Sequence, residues 1–294
     1  MLLTYYVYRI LGALMPLVPP RLGYAIFTQA GNLAYSLIAT SRENVHDNLR
    51  HVLGPQVEGA RIEDVAKQVF QNQARNYYDL FRVASLSVDQ IKRLVTIHGK
   101  EHAEQALSAG KGLIVVSAHL GNADIVMQRF ALLGYPITGV AEHLEPEELY
   151  RYVASLRASK GIKVIPTDSF MRPIFRALRN NEIVALAADR IETETGALIE
   201  FFGARALLAD WHVRLALRTG AKLLLAFSVR KPDNTFEAFA EPPLALEDTG
   251  DTGRDVHAGM VKLVASLEKY IGRHPEQWVM FQPVWRLPQN MRNL

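Results

Sequence analysis

Residues 112–124 read GLIVVSAHLGNAD, and the way this stretch changes character sets the reading of the whole chain. Leu113, Ile114, Val115 and Val116 form an apolar run with no period-2 polarity. That pattern suits a strand covered on both faces, as in a parallel α/β sheet. His119 then falls at the strand's carboxyl end, the edge at which open α/β sheets bind their ligands. A Gly and an Asn follow, and Asp124 stands five residues beyond the histidine.

Working outward, helical and strand patterns alternate from Lys100 onward. Helices are expected at 101–108, 123–133, 146–160, 170–179 and 209–219, the last stopped by Gly220. Strands are expected at 112–119, 137–142, 163–166, 182–189 and 222–230. The alternation predicts an α/β fold whose central sheet is mainly parallel and flanked by helices. KPDNTFEAFAEPP, at 231–243, reads as a turn into an edge strand and makes the sheet mixed. A helix over 254–273 closes the domain, and HPEQWVMFQPVWRL forms the tail. Upstream, Val65, Val69, Phe70, Ala74, Tyr77 and Phe81 recur at helical spacing and predict an amphipathic helix over 63–84.

The chain has 294 residues, enough to bury a sizeable core, and is 49% hydrophobic and 21% charged, a globular composition. It has no cysteine. Disulfides, thiolate metal sites and cysteine nucleophiles are therefore excluded. A formal charge of +3 is too small to argue for nucleic acid. Its placement says more. The first 42 residues hold Arg9, Arg21 and Arg42 and no Asp or Glu, and residues 22–41 are uncharged. That uncharged length is nominally enough for a bilayer core of about 30 Å. Gly23, Thr28, Gln29, Gly31, Asn32 and Ser36 interrupt it, and Pro16, Pro19 and Pro20 break the stretch before it. Two readings stand: a helical hairpin lying in a membrane interface with tyrosines at headgroup depth, or a pair of ordinary core helices. The expected division is residues 1–42 as an apolar membrane-associated helical segment and residues 43–294 as the α/β domain, without repeats or linkers.

No G-x-S-x-G elbow, P-loop or G-x-G-x-x-G element is present. His98 and His102 have helical i, i+4 spacing, but Gly99 intervenes and no third ligand is evident, so no metal site is expected. His119 and Asp124 can meet only if the histidine precedes a helix and the carboxylate lies in its first turn, since five residues rotate by about 500° on a continuous helix. There the Asp would fix one imidazole nitrogen and leave the other to take a proton. Backbone N–H groups near Gly121 and Asn122 are candidates for facing a developing oxyanion. The plain alternative is a capping Asp beside an unrelated His.

Context separates these readings. An apolar N-terminus leads to RENVHDNL and RNYYDLFR, then to the H-x4-D stretch and LRASKGIKVIP. ALAADR, IEFFGARA, RLALRTGAKLLLAF and HPEQWVMFQPVW follow in order. This sequence of motifs resembles the lipid A biosynthesis acyltransferase branch of the lysophospholipid acyltransferase-like superfamily, which includes phosphatidylinositol mannoside acyltransferases. The resemblance implies transfer of a fatty acyl group from acyl-CoA or acyl-carrier protein to a hydroxyl of a membrane lipid or glycolipid. It implies no cofactor, and a peripheral or monotopic place on the cytoplasmic face of the cytoplasmic membrane. An activated thioester needs no enzyme nucleophile, so direct attack with a general base suffices.

By the same resemblance His119 is the base and Asp124 its partner, with Asp189, at the end of the buried run EIVALAADR, as a rival for that role. Arg157 matches a family arginine assigned to the polar, anionic part of the substrates, and Arg190 shares the edge with Asp189. Phe201, Phe202 and Gly203 are expected at the mouth of an apolar acyl groove, with core packing as the alternative for the two rings. ALLADWHVRL departs from the family's Thr-Pro-Gly-like turn, so Trp211 and His212 replace small residues near the acceptor. Two other readings remain: a hydrolase on the same scaffold, and a lipid-binding protein without chemistry.

Overall fold

The computed structural model describes residues 2–168, 171–191 and 196–287. The expected helix start at Phe170 lies outside the described residues. Four helices come first: α1 (Leu2–Leu14), α2 (Pro20–Leu37), α3 (Ala39–Leu53) and the long α4 (Gly59–Val83). Ile62, Val65, Ala66, Val69 and Phe70 of α4 are buried at the expected spacing. α2 crosses α4 closely because Gly31 has no side chain; a Cβ there would come within 2.6 Å of the Gln71 Cα. Arg42 donates to the Tyr35 and Ser36 carbonyls and so caps the last turn of α2.

The sheet follows. Its strands are β1 (Val95–His98), β2 (Leu113–Ser117), β3 (Ile137–Ala141), β4 (Lys163–Pro166), β5 (Ile183–Ala187), β8 (Lys222–Arg230) and β9 (Phe236–Ala240). They lie in the order β1-β9-β8-β2-β5-β3-β4. All pairings are parallel except β8 with β9. The expected mainly parallel, mixed sheet is therefore what the chain forms. Alternate residues of β2 face opposite layers. Ile114 and Val116 join α9 (Met171–Arg179), α10 (Trp211–Thr219) and α11 (Thr252–Arg273) in one core. Leu113 and Val115 join α6 (Lys100–Leu107) and α7 (Ala123–Ala131) in another. Both faces are covered, which is why the strand carries no polar alternation.

Three features differ from expectation. β9 is not an edge strand: it pairs with β8 on one side and with β1 on the other. Its second neighbour, VTIH, is four residues long, capped off from α5 (Val88–Leu94) with no pattern of its own. A second sheet, the hairpin β6 (Ala197–Phe201) and β7 (Ala204–Leu208), turns on Phe202 and Gly203. Both turn residues have positive φ, 51° and 72°. This is the type I′ geometry that Asn-Gly usually signals, and Phe-Gly conceals it.

The N-terminal helices pack one face on α4 and on α8 (Glu147–Arg157). Their other face is apolar and open: Leu3 and Leu17 are 76% and 79% exposed, and Leu22, Ile26, Leu33 and Leu37 continue it along α2. No helix among the described residues is long and apolar enough to cross a membrane.

Candidate active site

β2 and β5 are neighbours in parallel register, with Leu113 opposite Ile183 and Ser117 opposite Ala187. The same offset carried two residues past the strand ends sets His119 opposite Asp189. The contact is made twice. His119 Nδ1 lies 2.7 Å from Asp189 Oδ1, and the His119 backbone N–H donates to Asp189 Oδ2 at 2.7 Å. The Trp278 indole N–H donates to the same Oδ2 at 2.8 Å.

Asp189 is fully buried. Burial works to raise its pKa, yet the facing imidazole and the three hydrogen bonds outweigh it and hold the carboxyl below its ordinary value. An ionised Asp189 keeps the proton of His119 on Nδ1. Nε2 is left as the acceptor, and no described residue hydrogen-bonds to it. The His119 side chain is 33% exposed, so the imidazole is not sealed from solvent.

Asp124 is elsewhere engaged. It lies in the first turn of α7, and its Oδ1 stands 2.9 Å from Arg157 Nε at the end of α8, a close ion pair with oblique N–H geometry. Gln128, one turn further along α7, donates to the Arg157 carbonyl. Tyr8 of α1 meets the Tyr77 ring edge-on at 6.0 Å. The structure thus brings together His119 with Asp189, and Asp124 with Arg157. Arg190 reaches Glu142 at 3.1 Å.

The Gly121–Asn122 turn has a different task from the one its sequence suggests. Gly121 N–H donates to the Gln277 carbonyl and Asn122 N–H to the Ser228 hydroxyl. Both donors are used inside the protein, so neither is presented to an oxyanion. Gly121 has φ 63° and a Cβ there would strike the Ser228 carbonyl at 2.2 Å. Asn122 is buried and caps α7 by accepting from Ile125 N–H. The tail clamps this turn from outside: Val279 N–H donates to the His119 carbonyl, and Leu120 bridges to Trp278.

Of the remaining predicted residues, Phe201 and His212 lie in the interior. Phe201 is wholly buried and stacks on Trp285 at 5.3 Å, while Phe202 is half-buried. His212 is also fully buried, with its Nε2 at 3.2 Å from the Ala187 carbonyl; burial depresses its pKa to about 4. It is a neutral core histidine beneath the end of β5 and does not face an acceptor. His98 belongs to β1 and His102 to α6, so no helix presents them together. No metal-binding cluster occurs among the described residues. A surface cleft of about 270 Å³ is lined by Tyr5, Arg9, Glu148, Arg151, Tyr152 and Ser155 and shares no residue with the His119 pair.

Sequence reasoning missed Trp278, although the tail that carries it was in view. A buried indole needs a partner for its N–H, and that requirement was the available signal. Serine 228, Asp79 and Arg230 gave none, because each is a single polar residue whose burial only the fold decides.

Comparison with known proteins gives the family. Residues 1–287 match the family described as bacterial lipid A biosynthesis acyltransferase. The chain is 32% identical over 251 residues to a phosphatidylinositol mannoside acyltransferase of Mycobacterium tuberculosis, covering 83% of this chain and 77% of that one. It is 28% identical over 247 residues to the protein of the same name from Mycolicibacterium smegmatis, covering 83% and 79%. The chain belongs to the bacterial lipid A biosynthesis acyltransferase family and is an acyltransferase.

Proposed function

We propose that this acyltransferase moves a fatty acyl group from an acyl thioester, on CoA or on acyl-carrier protein, to a hydroxyl of a membrane glycolipid. A mannosylated phosphatidylinositol is the first acceptor to test, because the relatives are named for it. The observation that carries the mechanism is the buried, ionised Asp189 holding Nδ1 of a half-exposed His119. Nε2 removes the acceptor's hydroxyl proton as its oxygen attacks the thioester carbonyl carbon. The tetrahedral adduct then collapses, the C–S bond breaks, and the imidazolium returns the proton to the departing thiolate. No cofactor or metal enters this scheme. Arg157, kept in place by Asp124, and Arg190 are assigned to the anionic parts of the substrates.

The open apolar face of α1 and α2, flanked by Arg9 and Arg21 in a segment without acids, supports a peripheral seat on the cytoplasmic face of the membrane. The test is thiol release from a series of acyl-CoA donors, with and without a total lipid extract, for wild type and His119→Ala. Lipid-dependent release that disappears with His119→Ala is expected. Release that ignores the lipid would indicate a hydrolase, and no release from any CoA donor would move the donor to acyl-carrier protein or, failing that, remove the chemistry.

A further inference from the structure

RNYYDLFR contributes more than an apolar helix face. Asp79 of α4 is 1% exposed and collects three donors. Tyr24 of α2 donates its hydroxyl at 2.6 Å, Arg230 of β8 donates at 2.7 Å, and the Asn122 side-chain amide donates at 3.1 Å. One turn earlier, Asn76 donates to the Gly121 carbonyl at 2.6 Å and accepts from Arg230 at 2.7 Å. The Arg230 backbone is in turn paired on both sides by the Gln277 side-chain amide, and the Gln277 backbone carbonyl accepts from Gly121 N–H.

The Gly121 carbonyl and the Asn122 side-chain amide are thus tied to α4, and Gly121 N–H to the residue that pairs with the Arg230 backbone. Asp79 is the node. Its link to Tyr24 runs to α2, on the side opposite the open leucines of that helix. A buried carboxylate with this many donors is held rigidly, and loss of one donor is felt by the others. Burial, with the nearby Asp79 charge, keeps the Tyr24 phenol protonated and therefore a permanent donor.

We propose that Asp79 is a positioning residue for the His119 turn, and that the Tyr24 hydroxyl ties this turn to α2 and so sets the base at a fixed offset from the helix face that meets lipid. The second half rests on the membrane seat proposed above. Neither residue touches substrate; both act through Asn122 and Gly121.

Tyr24→Phe is the sharpest variant, since it removes one oxygen and keeps the ring's edge-on contact with Tyr78. Tyr78→Phe is its control: it removes a hydroxyl from the same seam, bonded to the Val18 carbonyl, which has no connection to the turn. With acyl-CoA and vesicles of total lipid extract, Tyr24→Phe is expected to lower kcat about tenfold, the rate equivalent of one hydrogen bond. Its KM for acyl-CoA stays within about twofold, the signature of an effect on the chemical step. Tyr78→Phe lowers Tm by a similar amount and leaves kcat unchanged. Equal kcat in the two variants would overturn the proposal.

A readout independent of turnover keeps this separate from the acyltransferase reading. In histidine-labelled protein, the imidazole resonance assigned to His119 should move in Tyr24→Phe and stay in Tyr78→Phe, whether or not a donor has been found. No movement in Tyr24→Phe overturns the positioning role. Wild-type protein that releases no thiol, with the resonance still moving, overturns only the reaction.

Discussion

Two carboxylates stand near the same histidine in sequence or in space, and their surroundings are opposite. Asp189 is fully buried at a strand end and takes three donors, among them both N–H groups of His119. Asp124 is 21% exposed on a helix and takes one guanidinium. The first arrangement fixes a tautomer, and the second anchors a cation. H-x4-D is a spacing within one turn, but the histidine's partner comes from a neighbouring strand 70 residues away. Parallel register selects the carboxylate that holds His119 Nδ1.

The comparison breaks most visibly under mutation of the two acids. Asp189→Asn should lower kcat by about 10²–10⁴, the range for a disabled general base. Some loss of Tm is expected as well, because Asn cannot accept from every donor that faces it. Steady-state kinetics on protein verified as folded will check this.

The next effect is on stability and belongs to the buried side alone. His212 has an unfolded value near 6.5 and a folded value of about 4. Between them the unfolded chain binds a proton that the native state refuses, so stability is lost as pH falls from about 6.5 toward about 4. At about 1.4 kcal/mol per pH unit the loss amounts to about 3 kcal/mol. Denaturant titrations across that range should show it in wild type and show much less of it in His212→Gln. An equal slope in both proteins would place the acid sensitivity elsewhere.

Asp124→Asn sharpens the contrast from the open side. Arg157 loses its counter-ion but not its charge, so kcat/KM should fall about tenfold, mostly through KM for the lipid, as expected for a largely buried ion pair that serves binding. Trp278→Phe gives the smallest effect: one of three donors to Asp189 is removed while the ring still fills the core, and kcat should drop about fivefold. A larger effect from Trp278→Phe than from Asp124→Asn would break this ranking, and a larger effect from Asp124→Asn than from Asp189→Asn would break the assignment of the two acids.

Much of this was legible beforehand, for identifiable reasons. GLIVVSAH and EIVALAAD are apolar without alternation, so both strands had to be buried and both His119 and Asp189 had to emerge at the same edge. What the residues did not disclose was which strands are neighbours. That depends on how α6, α7, α9 and α10 pack, and no single-strand pattern contains it. For the same reason the sequence alone cannot choose between Asp189 and Asp124, and the β2–β5 pairing does. β1 was too short to declare itself, and the β6–β7 turn used Phe202 in a conformation that residues of its kind rarely take. Asp79 and Arg230 look like surface charges in the sequence. Only α4 laid across the turn after His119 makes them a buried pair.

The most direct test of the central claim is the protonation of His119 itself, followed by ¹⁵N NMR of labelled imidazole in wild type, Asp189→Asn and Asp124→Asn. The account predicts the Nδ1–H tautomer in wild type and in Asp124→Asn, with the tautomer disturbed only in Asp189→Asn. A His119 spectrum altered by Asp124→Asn and untouched by Asp189→Asn would contradict it.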